Sequence, residues 1–252
     1  MTNTSLHNHS TWSDGAADIG TMALAARAAG LHAFGISDHW VMLPANCRLN
    51  TEWSIAPGRL DSYFQECIDV KKQVETTHFT MRIGLEVDFF PENWQANMAR
   101  LASYPLDYTI GSIHYLDDFP IDSSPEPWLP LGQDAINDIW REYWRRLHAL
   151  AETRAFTIIG HLDLPKKFGY GATADLSFEI EAALQAIRRS GAQLELNTAG
   201  WSKPCAEPYP SPNLLKRALA LGIPVLITAD AHAPEHVNRD FDKAAGLLAS
   251  LA

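Results

Sequence analysis

The sequence predicts a parallel α/β barrel, a single domain over residues 1–252, with seven strands inside a ring of helices. Three observations point there. Short apolar runs alternate with amphipathic helical patterns along the whole chain. Six of the seven runs end in His, Asp or Glu, and a fold that brings every strand's C-terminal end to one face gives that repetition a single cause. The length of 252 residues is near that of one such barrel and can bury a large core without disulfides. An open doubly wound sheet shares the alternation but places its ligand in one crevice, so candidates after six strands favour closure.

Strands are expected near residues 4–7, 33–37, 81–87, 107–113, 156–160, 192–197 and 224–229. Helices are expected over 18–30, 58–75, 92–102, 133–153, 176–190, 211–222 and 241–251. The first strand runs into LHNHS, with His7 and His9, and Asp14 follows in SDG. Gly30, Gly191 and Gly222 close three helical patterns where a left-handed residue is needed. GISDHW then delivers His39, MRIGLEVD delivers Glu86, TIGSIHY delivers His114 and TIIGHLD delivers His161. The sixth strand ends without an obvious ligand, and ITADAH closes the series with Asp230 and His232. Loops 40–57 and 115–132 hold Pro, Trp and polar residues without periodicity and read as lids. Loop 198–213, with Trp201, Lys203, Pro204 and Tyr209, is expected to face substrate.

Apolar residues make up 46% of the chain. No run approaches the roughly 20 apolar residues that span a bilayer, and the opening MTNTSLHNHS has neither a basic region nor an apolar signal core. With three unevenly spaced cysteines, Cys47, Cys67 and Cys205, neither a disulfide framework nor a CxxC site is indicated. A soluble, cytoplasmic protein is expected, without a membrane partner. The formal charge of −10 argues against nucleic acid. Bound cations would reverse the local sign and admit a small phosphorylated substrate.

His7 and His9, one residue apart in extended backbone, project from the same face and can bind one ion. Glu86 ends a buried strand, where a carboxylate needs a partner: either two bridged cations or a salt bridge with Arg82 or Lys167. Asp88, two residues on, is a rival for the same role. His114 and His161 alone would read as core histidines, but in series they read as ligands. Asp38 either orients an imidazole or caps the turn. His32, His78 and His148 sit in or beside helical patterns and are expected to be structural or exposed. Mixed imidazole and carboxylate donors suit zinc, manganese or iron, and no thiolate narrows the choice. No glycine-rich P-loop or G-x-S-x-G elbow is present, so metal activation of water replaces a protein nucleophile.

In this order H-x-H, D-G, S-D-H, G-x-E, S-x-H, G-H-x-D and D-A-H resemble the polymerase-and-histidinol-phosphatase (PHP) superfamily over essentially the whole chain. DYTIGSIHYLDDFPID, IIGHLDLPKKF and ELNTAGWSKP resemble its monofunctional histidinol-phosphatase branch. The resemblance implies a distorted (β/α)7 TIM-like barrel with parallel strands and outer helices, three divalent ions, and hydrolysis of L-histidinol phosphate to L-histidinol and phosphate. It implies one ion at His7, His9, Glu86 and Asp230, a second at Glu86, His114 and His161, and a third at Asp14, His39 and His232. Asp14, Glu86, Asp230 and His232 are the catalytic candidates, and Asp14, Asp230 or a metal-bound water is the general acid.

The resemblance also implies phosphate held by basic side chains after the fifth and sixth strands, here Lys166, Lys167 and Lys203. It implies an arginine beside the last lysine, where this chain has Ser202, and Arg48 in the first lid is the candidate to compensate. The acidic lid residues Asp117, Asp118, Asp122 and Glu126 either meet the substrate amine or form a solvated loop. Two other readings share these residues: a phosphoesterase for another small ester or nucleotide, and a noncatalytic metal-stabilised binding module.

Overall fold

A computed structural model of the chain describes residues 4–45 and 47–251. At its centre seven strands lie in sequential order: β1 Thr4–Ser5, β2 Ala33–Ile36, β3 Thr80–Asp88, β4 Tyr108–Ser112, β5 Ile158–Ile159, β6 Gln193–Asn197 and β7 Val225–Thr228. Each neighbouring pair is parallel. The seam between first and last strand is joined above their ends, where Asn8 bridges Ala231. There His9 N–H donates to Ala231 O at 2.8 Å and Ala231 N–H donates to His7 O at 3.1 Å. The α/β fold is thus the expected TIM-like barrel of seven strands. β1 and β5 are shorter than the apolar runs suggest. After Ser5 the chain leaves β2 for Ala231, and shortly after Ile159 it turns into the short helical segment Leu164–Phe168.

The helices α1 Ile19–Ala28, α2 Leu60–Val74, α3 Trp94–Leu101, α4 Gln133–Glu152, α5 Ser177–Ser190, α6 Pro212–Ala220 and α7 Phe241–Leu251 occupy the predicted intervals. Asp18 caps α1 by accepting from Thr21 N–H at 2.7 Å. Gly191 ends α5 at φ +79° and Gly222 follows α6 at φ +73°, the left-handed geometry that a side chain would resist.

Period-two alternation gives each strand two faces. Outward-facing Ile83, Leu85, Val87, Leu194, Leu196 and Ile227 join Met22, Tyr63, Trp144, Leu184 and other helical side chains in the main core. Inside the barrel, Leu6, Tyr108, Ile110 and Ile158 form a separate small cluster, a plug near the strands' N-terminal ends. The Tyr108 side chain lies so close to Gly35 and Gly84 that a Cβ would come within 2.3 Å of its hydroxyl at the first and of its ring at the second. Further along the strands the interior turns polar, with Glu86, Ser112, Glu195 and Thr228 all buried. The apolar plug is therefore a floor, and chemistry begins above it.

The two expected lids are packed elements. Val41, Phe90 and Tyr115 form a third cluster with Leu43, Leu49 and Trp53, and Tyr115–Leu116 pairs antiparallel with Phe119–Pro120. Among the described residues no helix is long and apolar enough to cross a membrane.

Candidate metal centre

Strand register gathers the site. Beyond β2, His39–Trp40 forms a two-residue parallel extension beside β3 that sets His39 against Glu86. His114 and His161 each stand two residues past their strands, β4 and β5. Across the seam, the turn after β1 and the turn after β7 bring His7, His9, Asp230 and His232 together. Asp230 adopts φ +49°, a left-handed conformation that a short polar residue tolerates better than most.

Glu86 is at the centre. Its Oε2 lies 3.2 Å from His7 Nε2, 3.6 Å from His9 Nε2 and 2.8 Å from His39 Nδ1. Its Oε1 lies 3.6 Å from His114 Nε2 and 2.8 Å from His161 Nε2. Asp230 Oδ1 approaches His9 Nε2 at 3.1 Å and His7 Nε2 at 3.6 Å. Asp14 faces His39 Nε2 at 3.6 Å and His232 Nε2 at 3.2 Å. All nine predicted donors are thus brought together. The alternative salt bridge does not form: Arg82 is exposed and Lys167 binds Asp122 instead.

Around these groups stands a ring of partners. Glu195, fully buried, lies within β6 rather than at its end, so the pattern of strand-end ligands does not mark it. Its Oε2 accepts from Thr228 Oγ1 at 2.8 Å and from His7 Nδ1 at 2.8 Å, and its Oε1 accepts from His161 N–H at 2.5 Å and Asn197 Nδ2 at 3.0 Å. A carboxylate can only accept, so His7 Nδ1 carries the proton and Nε2 faces Glu86. Asp88 does the same for His114 by accepting from its Nδ1, so Asp88 is a partner of a candidate ligand rather than a rival to Glu86. Asp38 accepts from Ser10 N–H, Ser10 Oγ and Ser13 Oγ at 2.6, 2.8 and 2.6 Å, which fixes the turn carrying Asp14 rather than any imidazole. His32 and His78 are exposed, and His148 lies on α4 beside Glu152.

Electrostatics follow from this crowding. Burial alone would lower His7, yet Glu195, Asp230 and Glu86 outweigh it and hold the ring well above its usual range. For His114 burial is likewise overcome, by Asp88 and Glu86, and its pKa is pushed up to about 10. His9 goes the other way, to about 3, because burial acts together with the neighbouring His39 and His232. Burial would raise Glu86 and Asp230, but the surrounding imidazoles hold both well below the carboxylate range. His7 Nε2, His9 Nδ1 and Glu86 Oε2 are buried without a hydrogen-bond partner. Orphaned donor atoms of this kind, in a set of imidazoles and carboxylates, fit divalent cations. Three overlapping groups have ligand atoms within 4.8 Å of one another: His9, Asp14, His39 and His232; His7, His9 and Asp230; and His39, Glu86 and His114.

These groups open onto a cavity of about 490 Å³. Its walls include Trp53 and Tyr115 from the lids, and Lys167, Lys203, Tyr209, His236 and Arg239 from the strand-end loops. Trp53 stands edge-on to His39 at 4.6 Å and to His114 at 5.5 Å between ring centroids. The expected phosphate-binding residues divide. Lys167 and Lys203 line the cavity. Lys166 does not, being held by Asp163 at 2.9 Å and Glu207 at 3.2 Å. Arg48 is exposed and off the cavity wall, since its lid segment packs its apolar residues inward and leaves the charge in solvent. Of the acidic lid residues, Asp122 lines the cavity, Asp117 pairs with Arg146, and Asp118 and Glu126 are exposed.

The PHP domain model matches residues 5–199. A Deinococcus radiodurans protein named "Probable histidinol-phosphatase" is 35% identical over 219 residues, covering 87% of this chain and 82% of its own. The Bacillus subtilis histidinol-phosphatase is 27% identical over 71% of this chain and 73% of its own. A Lactococcus lactis histidinol phosphate phosphatase, solved with zinc, L-histidinol and phosphate, superposes with a TM-score of 0.81 at 21% identity, covering 100% of this chain and 94% of that one. That likeness concerns the fold, whereas the domain match and the 35% relative concern descent: the chain belongs to the PHP domain family.

Proposed function

We propose that the chain is a metal-dependent phosphomonoesterase that hydrolyses L-histidinol phosphate to L-histidinol and phosphate. One observation carries the reading: nine metal-capable side chains are gathered in one cluster, and seven of them line a single cavity together with cationic side chains that can receive a phosphoryl group. The substrate assignment draws support from the D. radiodurans relative and from the zinc, L-histidinol and phosphate in the L. lactis protein. The chain's formal charge of −10 favours a small anion admitted at a cationic site over nucleic acid. Its unpaired cysteines suit the cytoplasm.

In this reading three divalent ions are held, with zinc the first choice over manganese and iron. His7, His9, Glu86 and Asp230 hold one, Glu86, His114 and His161 a second, and Asp14, His39 and His232 a third. A neutral imidazole offers one lone pair, so His9 and His39 each serve one ion although each stands in two of the clusters. Bound divalent ions supply Lewis acidity and make water a nucleophile at neutral pH. The chain's own residues do the rest. Glu195 and Asp88 hold His7 and His114 in the tautomer that turns Nε2 to Glu86. Asp14 and Asp230 are held below the carboxylate range, so both are ionised at neutral pH and act as ligands rather than proton donors. Trp53 and Tyr115 cover the donors and limit water. Lys203 and Lys167 face the phosphoryl oxygens.

Phosphate release from a panel of esters tests the reading. Histidinol phosphate should be turned over faster than p-nitrophenyl phosphate, and equal rates would sink the substrate assignment. Glu86→Ala and His232→Ala should each lose more than the roughly 10–100-fold typical of an outer partner. Activity surviving both would sink the site.

A further inference from the structure

Arg239 belongs to the loop between β7 and α7, a stretch without periodicity, and nothing in its sequence marks it. The loop is anchored by buried Val237 and Phe241 on either side. Its backbone is tied down as well: Arg239 N–H donates to His236 O at 3.0 Å, and Arg239 O accepts from Thr198 Oγ1 at 2.7 Å, which joins the loop to the end of β6. The side chain is oriented by Nη2 donating to Ala229 O at 3.1 Å. Arg239 then lines the same cavity as Lys203 and Lys167.

Charge balance on that wall is unusual. Lys167 is partly neutralised by Asp122 at 2.9 Å. Among the described residues, neither Lys203 nor Arg239 has a carboxylate oxygen within 4.0 Å. Arg239 Nε is buried and has no acceptor. The lysine feels the crowding: burial first, then the positive charges of Lys167 and Arg239, lower its affinity for a proton, against the pull of Asp230. Like charges facing one cavity with no carboxylate in contact are relieved by an anion placed between them.

We infer that Arg239 binds the substrate's phosphoryl group, supplying from the loop after β7 the guanidinium that Ser202 does not supply beside Lys203. The inference rests on the phosphomonoesterase reading and extends it to a residue of this chain. Lysine gives the anion a point charge, whereas the planar guanidinium offers two parallel donors and so sets the orientation of the phosphoryl oxygens.

The test compares the metal-loaded wild type with Arg239→Gln and Arg239→Lys. Inhibition by inorganic phosphate, inhibition by L-histidinol, KM for p-nitrophenyl phosphate and bound metal are measured on the same preparations. For Arg239→Gln, the phosphate inhibition constant and KM should rise about 10- to 100-fold, with the L-histidinol inhibition constant and metal content unchanged. Arg239→Lys should fall between the two, and it carries the test if the glutamine variant does not fold. An unchanged phosphate inhibition constant, or an equal loss of L-histidinol binding or metal, overturns the role given to Arg239. A wild type that neither releases phosphate from esters nor binds inorganic phosphate removes the underlying reading instead.

Discussion

Replacing Glu195 by glutamine tests whether an outer carboxylate sets the protonation of a candidate ligand. In the wild type four donors converge on a group that only accepts. His7 Nδ1 and Thr228 Oγ1, each at 2.8 Å, meet Oε2, and His161 N–H at 2.5 Å and Asn197 Nδ2 at 3.0 Å meet Oε1. Glutamine has nearly the same shape but presents an NH2 on one side. If its oxygen stays with His161 N–H and Asn197, the NH2 faces His7 Nδ1, donor against donor. A neutral His7 escapes only by moving its proton to Nε2, the atom 3.2 Å from Glu86 Oε2 and 3.6 Å from Asp230 Oδ1. The ring then has no lone pair to offer a cation there. A hydrogen bond to a charged group is worth about 1.5–3 kcal/mol. Loss of an outer carboxylate typically costs about 10–100-fold in metal affinity, and at 1.4 kcal/mol per tenfold step the two figures agree. Competition titration with a chelator, together with elemental analysis, should show zinc bound at least about tenfold more weakly by Glu195→Gln. Thr228→Val, which removes one donor and leaves the carboxylate, should change the affinity far less. Wild-type zinc affinity and stoichiometry in the glutamine variant would refute the reasoning.

Stability should fall as pH rises in metal-free protein, while the gain from bound metal should grow. In metal-free protein, burial would lower His114 and His232, but Asp88 and Glu86 raise the first to about 10 and Asp14 raises the second to about 9, from 6.5. A raised histidine stabilises fully below about 6.5 and loses that contribution as pH climbs through its folded value. Thermal melts of metal-free protein should therefore fall in Tm between about pH 6.5 and 10. The increment from added zinc should grow over that range, since metal needs the same nitrogens deprotonated. A metal-free Tm that rises across this window would contradict the account. Two glycine substitutions should move stability in opposite directions. Gly84→Ala drives a methyl into the Tyr108 ring, at 2.3 Å before relaxation, and should cost about 1–3 kcal/mol, roughly 2–12 °C in Tm. Gly246→Ala, in α7 with nothing within 4 Å, should gain up to about 1 kcal/mol. Urea denaturation of both variants gives the comparison.

The nine donors and the barrel were legible because both follow from period. A strand that is apolar throughout and ends in His, Asp or Glu announces its direction, and helices with glycine at their ends announce the crossovers, as Gly191 and Gly222 do. Glu195 left a signal that a search of strand ends overlooks: a carboxylate between Leu194 and Leu196 in a buried strand must have a partner inside the barrel. Lys166 was similarly readable, since Asp163 stands three residues before it and offers a nearer charge than any substrate. Arg48, Trp53 and Arg239 were not legible in this way. Each lies in a loop whose course is set by tertiary packing, such as the lid cluster of Val41, Phe90 and Tyr115, and no local pattern says which side chain turns to the cavity.

The seam joined at Asn8 and Ala231 has a consequence for how the molecule is made. His9 and Asp230 are 221 positions apart, and holding such distant points of a flexible chain together costs about 5 kcal/mol in loop entropy, before constant terms. A cation gripped from both sides of the seam would act as a reversible cross-link between the two ends of the polypeptide. A chain released before the final strand would lack that clasp as well as part of its chemistry, so a nascent or truncated molecule would be both inert and easier to unravel.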